Sequence, residues 1–335
     1  MRAPTRMDFG GGWTDVPPYS EREGGVVCAV AIARYATARL ANSDAYRQRS
    51  PRSGPGVNRA TSTLRKGGAA ERAESSLVRA ALARVDLHAA PHVQLRSDFP
   101  IGAGLGGSSA ASAALLGALD RCRGVAVDRR TIAERGREIE VEDLGVPGGR
   151  QDHYCAAYGG ALGLRIGLNV DVTRIPLSAG LRAEIERRCM LVYTGESRIS
   201  GDTITGVLEA YLRGDAGVTF ALARMRELAV QMIAALERAD VDALASLVDE
   251  HWAHQRALHP AIPTPRIDAI VERARAAGAT GAKAMGASGG GCVLAIARSG
   301  AEDAVRRAVG TMGELIPFTL DEEGLAECDW NAETP

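Results

Sequence analysis

The sequence predicts an α+β protein of two lobes, on three observations. The chain has 335 residues, too many for one minimal domain. Short aliphatic and β-branched runs alternate with 3.6-residue apolar periodicity along most of its length. The longest helical patterns gather between Thr219 and Ala277, as expected of a helical layer covering a sheet.

The elements follow in order. A glycine cluster, Gly10-Gly11-Gly12, precedes the run Val26–Leu40, which reads as one long or two short strands after a strand and a turn. Between Asn42 and Gly68 the sequence turns to Arg, Ser, Pro and Gly, an exposed loop or edge hairpin. A helix is predicted over Glu71–Val85 and a strand over His92–Ser97. The glycine-rich turn Gly102–Gly107 then opens an Ala/Leu-rich helix to Cys122. A helix over Asp128–Leu144 ends at Gly145 and Pro147, and strands are expected at Ala161–Ile166 and Met190–Thr194. The pattern from Thr219 to Leu258 is interrupted near Asp240. After the Pro260/Pro263/Pro265 break comes another helix to Ala277. A second glycine cluster, Gly286–Gly291, leads into a strand Cys292–Ala297, a helix near Glu302–Val309 and a closing strand near Ile316–Leu320.

Composition narrows the function. Hydrophobic residues are 46% and charged residues 24%, as in ordinary globular proteins, and with aromatics at 4% the core must be aliphatic. Lys and Arg number 40 against 41 Asp and Glu, a net charge of -1, so no overall field gathers nucleic acid or an anionic membrane and neither is expected as a partner. The six cysteines form no CxxC pair and read as reduced, mostly buried thiols. No apolar run approaches the roughly 20 residues of a membrane span, and Met1 leads straight into patterned sequence, so a cytoplasmic location is expected.

The segment Pro100-Ile-Gly-Ala-Gly-Leu-Gly-Gly-Ser-Ser-Ala-Ala111 puts four glycines and two serines where a loop becomes a helix. Glycines let the backbone approach an anion and aim successive N–H groups at it, and the helix start adds the positive end of its dipole. The order is not GxxxxGK[ST], and no acidic residue follows as a Rossmann fingerprint requires. A plain glycine turn that lets a helix start accounts for a lone GxGxG equally well, and the Ser-Ser-Ala-Ala continuation shifts the balance toward the anion site. His251, His254 and His259 lack the partners that would complete a metal site and read as structural.

That string resembles the second motif of the GHMP kinases (galactokinase, homoserine kinase, mevalonate kinase, phosphomevalonate kinase), PxGxGLGSSAA, departing by the extra Gly107. Ala3-Pro4-Thr5-Arg6 with Gly10-Gly11-Gly12-Trp13-Thr14-Asp15 is similar to the first motif, and Gly286-Ala-Ser-Gly-Gly-Gly-Cys292 to the third. The resemblance implies a two-lobed GHMP kinase fold. Residues 1–170 would form an N-terminal lobe like the second domain of a small-subunit ribosomal protein, and residues 171–335 a ferredoxin-like C-terminal lobe. It implies ATP and Mg²⁺, a small-molecule acceptor, and room for a homodimer.

The family pattern also implies roles residue by residue. Gly102, Gly104, Leu105, Gly106, Gly107, Ser108, Ser109, Gly289 and Gly290 would bind the nucleotide, with Glu140 and Ser108 on the metal. Asp152 would be the catalytic carboxylate, with Arg6 beside it, and Gly11, Gly12, Thr14 and Asp15 would bind the substrate. Plainer readings stand beside these: a solvated helix face for Glu140, an N-cap for Asp152, and turn chemistry before Pro17-Pro18 for Asp15. Within the family, Gly148–Gly160 and Tyr193–Arg198 look like the D-glycero-D-manno-heptose 7-phosphate kinases, while Trp13 is a feature of L-fucokinases. Both phosphorylate an anomeric hydroxyl. A phosphorylated acceptor needs cations, for which Arg198, Lys283 and Arg150 are the candidates. A sugar-binding protein that has lost activity is the non-enzymatic alternative.

Overall fold

The computed structural model describes residues 1–41, 69–85, 91–196 and 201–331. The loop or hairpin expected over 42–68 lies outside the described residues. Two antiparallel sheets organise the rest. The first holds β1 (Arg2–Gly10), β2 (Gly25–Ala41), β3 (His92–Ser97), β4 (Ala161–Ile166) and β5 (Val170–Ile175) in the order β1-β2-β4-β5, with β3 also on β2. The second runs β7 (Ala279–Ala284), β8 (Cys292–Ala297), β6 (Cys189–Tyr193), β9 (Glu314–Ile316).

The run after Gly25 is one 17-residue strand because it serves three neighbours. Gly25–Val30 pairs with β4, Ala36–Ala41 pairs with β3, and β1 covers the opposite edge from Cys28 to Thr37. In the second sheet the chain order is strand, helices, strand, strand, helix, strand, and the lateral order makes this the ferredoxin-like βαββαβ topology.

Helices fill the layers: α1 (Tyr19–Arg22), α2 (Ala69–Ala83), α3 (Gly107–Cys122), α4 (Arg129–Glu138), α5 (Gln151–Tyr158), α6 (Ala179–Arg188), α7 (Gly201–Leu212), α8 (Ala216–Glu237), α9 (Val241–Ala257), α10 (Pro265–Ala276) and α11 (Glu302–Gly310). The interruption near Asp240 is real, since Asp240 caps α9 by accepting from the Ala243 N–H. Two expectations shift. The helix expected over Asp128–Leu144 ends at Glu138 and continues as a π-helical turn, Ile139–Asp143. The closing strand lies at Glu314–Ile316, and Leu320 instead bridges Ile32 in the first sheet.

The two central strands of the second sheet, β6 and β8, are buried on both faces and read as unbroken apolar runs. On β8, Cys292, Leu294 and Ile296 face a core shared with Met7, Phe9 and Val30 of the first sheet and with Leu228, Met232 and Leu244 of α8 and α9. Val293, Ala295 and Ala297 face the opposite way, onto Ile267, Ile270 and Val305 of α10 and α11. A division at 170/171 would fall at the start of β5, which pairs with β4 along its length. The tail also returns, with Arg2 and Ala326 exchanging backbone hydrogen bonds. Four of the cysteines are buried free thiols, whereas Cys122 is exposed and Cys328 half-buried. Among the described residues no helix is long and apolar enough to cross a membrane.

Candidate active site

Three motifs that are distant in sequence meet where α3 begins. Gly106 caps α3 in the left-handed region (φ 75), and no acidic residue occupies the first turn, so the free N–H groups at its start keep their positive end unneutralised. Strand alternation puts Arg6 and Asp8 on the face of β1 opposite the core residues Met7 and Phe9. Arg6 then reaches the loop. Its backbone N–H donates to Leu105 O (3.0 Å) and its Nη1 to Gly104 O (2.6 Å). Its Nε and Nη2 both approach Asp152 Oδ1, at 2.9 and 2.8 Å. Burial works against the Arg6 charge, but Asp152 and then Asp8 outweigh it and hold its pKa above the ordinary value.

Asp152 sits in the first turn of α5, so the N-cap expected as its plainer role belongs to Arg150. One oxygen is held by Arg6, and the carboxylate is about one-third exposed (32%). The other oxygen faces the loop: a Cβ placed on Gly106 would stand 3.2 Å from Asp152 Oδ2. Gly107, the departure from the motif, is explained by Phe99, whose ring lies 2.4 Å from where its Cβ would be.

Beside this pair, Ser108 Oγ donates to Glu140 Oε1 at 3.1 Å. Glu140 lies in the π-helical turn, a distortion found often at functional sites. His153 donates from Nε2 to Glu140 Oε2 at 2.7 Å, and Ser109 Oγ lies 3.4 Å from the same nitrogen. Burial pushes Glu140 upward most strongly, yet the hydrogen bond and charge of His153, with Ser108 and Arg137, overcome it and leave the carboxyl below its usual range. A carboxylate oxygen and a hydroxyl oxygen at a helix start are the hard donors that Mg²⁺ selects when phosphates complete its shell. The residues fit that ion. His153, which the motifs did not single out, holds the carboxylate from behind.

Asp15 is 5% exposed and accepts the Gln151 N–H at Oδ2 (2.9 Å). Burial pushes its pKa up to about 6, helped by the charges of Asp152 and Asp8 and opposed by the Gln151 N–H. The glycine at 149 is required for this arrangement, because a Cβ there would lie 1.9 Å from Asp15 Oδ2. Gly12 faces Asp8 Oδ2 and Gln151 Oε1, which a Cβ would approach to 2.9 and 3.1 Å. Gln151 is a second residue of the site that the motifs did not assign.

Four expectations are corrected. Thr14 is fully buried and its hydroxyl donates to Gly11 O (2.6 Å) and accepts from the Val26 N–H (3.2 Å), so it holds the turn shut and offers the acceptor nothing. Gly11 is likewise turned inward, its N–H donating to His251 Nε2. Lys283 has no exposed surface and donates to Asp8 Oδ2 (3.0 Å) and Asp8 O (3.2 Å), so its charge is committed inside. Ser109 is 1% exposed, with its hydroxyl beside His153 and turned from the loop mouth, so its side chain is withdrawn from the nucleotide role and only its backbone N–H remains for it. Arg198 lies outside the described residues, and Arg150 Nε donates to Glu134 (3.1 Å).

The third motif closes over the second. Cys292 N donates to Ala103 O at 2.8 Å, and a Cβ on Gly291 would lie 3.2 Å from Gly102 O. Gly289 N donates to Ile262 O, and Gly290 backs onto Glu196 O, which accepts from Gly291 N (2.8 Å). The three histidines go separate ways: His254 meets the Phe220 ring and His259 accepts from Ala261 N.

Comparison with known proteins agrees with this arrangement. The GHMP kinases N terminal domain matches residues 71–160 and the GHMP kinases C terminal domain residues 232–315, together more than half of the chain. The chain is 31% identical over 200 residues to a D-glycero-α-D-manno-heptose 7-phosphate kinase of Campylobacter jejuni, covering 58% of each protein. It is 26% identical over 362 residues to an L-fucokinase/L-fucose-1-P guanylyltransferase of Bacteroides fragilis, covering 96% of this chain and 38% of that one. The chain thus spans less than two thirds of the length of either relative. A D-glycero-D-manno-heptose 1-phosphate kinase structure from Bacteroides thetaiotaomicron shares the fold with a TM-score of 0.70, at 24% identity and 96% coverage of both chains. The glycine loop at the start of α3, the ferredoxin-like second half and the matches to both halves of the family have one meaning: the chain belongs to the GHMP kinases.

Proposed function

We propose that this chain is an ATP-dependent sugar kinase that phosphorylates the anomeric hydroxyl of a sugar or sugar phosphate, with D-glycero-D-manno-heptose 7-phosphate as the acceptor. One observation carries the kinase chemistry: Asp152 is gripped on one oxygen by Arg6 and turns the other to the amide end of α3. The triphosphate lies on the free N–H groups of Gly106–Ser109, with the third motif across it. Glu140 and Ser108 would hold Mg²⁺, which would supply positive charge to offset that of the transferring phosphate. Asp15 accepts hydrogen bonds from the sugar hydroxyls and, with Gln151, fixes the acceptor over Gly12.

The anomeric oxygen attacks the γ-phosphorus, and the bond from that phosphorus to the β,γ-bridging oxygen breaks. ADP departs with that electron pair, and the hydroxyl proton passes to Asp152 Oδ2. Arg6 keeps the carboxylate aligned and meets charge on the transferring group.

The similarity to the heptose 7-phosphate kinase supports a phosphorylated acceptor, and so do two unpaired donors. Arg150 Nη1 and Arg137 Nε are buried without a hydrogen-bond partner, and Arg137 stands one helical turn from Glu134, which Arg150 contacts. Burial and the Arg150 charge both depress the Arg137 pKa, as for cations awaiting an anion. Trp13 and the match along 96% of the chain favour the second reading, an L-fucokinase-like monosaccharide 1-kinase. ADP release measured over a panel of sugars and sugar phosphates, with NMR of the product, tests both. Turnover with heptose 7-phosphate at carbon 1 supports the first reading. Turnover with L-fucose alone selects the second, and none with any member points to a binding protein.

A further inference from the structure

Two loops of the site carry a non-glycine residue in the left-handed region: Trp13 in the substrate turn (φ 78) and Ser288 in the closing glycine loop (φ 69). Among the described residues only Ala239 shares that conformation without being glycine. Such residues persist only where the surroundings hold them. Both loops are held from one helix, α9, by two side chains four residues apart and therefore on one face.

His251 is fully buried and its Nε2 accepts the Gly11 N–H at 2.9 Å. An N–H must donate, so Nε2 is unprotonated and the ring's proton sits on Nδ1, which is buried without a partner. Burial, with the charges of Lys283 and His254, keeps the ring neutral. Gln255 is 1% exposed, and its Nε2 donates to Gly286 O and Ser288 Oγ, both at 3.0 Å, with Ala284 O at 3.4 Å. The two carbonyls fix which end is the amide nitrogen, and the Oε1 is left buried and unpartnered. Each side chain thus leaves one polar atom orphaned in the interior. A leucine would pack there without that penalty, so holding the loops is what these side chains supply.

We propose that His251 and Gln255 are positioning residues that brace the sugar turn and the nucleotide loop, each its own loop, from one helix. This rests on the kinase reading for what each loop binds. His251 acts through Gly11 on Gly12 and Asp15; Gln255 acts through Gly286 and Ser288 on Gly289 and Gly290.

The test uses His251→Leu, which removes the acceptor, His251→Gln, whose Oε1 replaces Nε2, and Gln255→Leu. With MgATP and heptose 7-phosphate, His251→Leu raises the acceptor KM tenfold or more and leaves the ATP KM within twofold. His251→Gln restores the acceptor KM to within threefold of wild type, and Gln255→Leu raises the ATP KM instead. Backbone hydrogen exchange read without any sugar accelerates at least tenfold over residues 9–16 in His251→Leu, and over residues 285–291 in Gln255→Leu. If no sugar turns over with wild type, the kinase reading fails, and the exchange pattern still decides the brace. Equal losses in His251→Leu and His251→Gln, or unchanged exchange in both loops of variants that melt like wild type, overturns it. A leucine variant that fails to fold is replaced by Gln255→Glu or His251→Asn read by the same exchange.

Discussion

Asp15→Asn separates what the site needs from what the fold prefers. Burial beside Asp152 and Asp8 raises the Asp15 carboxyl from 3.8 to about 6, so the native protein prefers it neutral. For a raised carboxyl the stabilising contribution is complete below the unfolded value and is lost as pH rises through the folded one. With those two values the wild type is weakened by about 1 kcal/mol at pH 4.5 and by about 3 kcal/mol at pH 8. An asparagine keeps the acceptor for the Gln151 N–H and brings no charge. The stability difference should therefore move in favour of Asp15→Asn by about 2 kcal/mol between pH 4.5 and pH 8, about 3 °C for a chain of this size. Parallel urea or thermal melts at the two pH values measure it. The same variant should bind the acceptor sugar more weakly, since an amide donates where two hydroxyls must donate. If the two proteins keep a constant difference across that range, the burial argument for Asp15 is wrong.

The other predictions follow from charges placed at the loop. Asp152→Asn keeps the shape and removes the base, so turnover should fall about 10²–10⁴-fold with nucleotide affinity kept; retention of more than a tenth of the wild-type rate by ADP release excludes the role. Glu140→Gln and Ser108→Ala should each raise the Mg²⁺ concentration for half-maximal activity, and unchanged Mg²⁺ titrations in both dismiss the metal assignment. Lys283→Met strands Asp8 as a buried charge and should cost about 3–5 kcal/mol in urea unfolding. Adding Asp8→Asn should recover much of that loss, and a double variant as unstable as the sum of the singles contradicts the pairing.

The turn at the centre of the candidate site was legible because it is written in local composition. Four glycines and two serines before an alanine-rich stretch announce a tight loop that becomes a helix start, and Arg6, Glu140 and Asp152 lie beside it. The strands at Ala161 and Cys292 carried apolar runs and the one at His92 alternates apolar with polar residues, and all three fell where expected. Misses arose where a residue's meaning depends on a distant partner. Lys283 finds Asp8 across 275 positions, and Thr14 turns toward Val26, so in sequence each looked like a ligand. His153 has no local mark of its hold on Glu140, which depends on the π-helical turn rotating that carboxylate inward. Strand β7, Ala-Thr-Gly-Ala-Lys-Ala, lacks the bulky residues that advertise a strand, because α9 packs so close that a Cβ on Gly281 would lie 2.3 Å from Ala245 O.

The return of the tail to the first sheet makes the two halves poor candidates for independent exchange. Residues 319–326 supply β-bridges to Ile32 and Arg2, and the Ala33 N–H donates to Thr319 O while the Asp321 N–H donates to Ala31 O. A recombinant that kept residues 1–175 and drew the rest from another family member would inherit the first sheet with its partner segment replaced. Divergence in the turn between β1 and β2 is thereby tied to sequence some three hundred positions away, on a stretch that none of the three motifs includes.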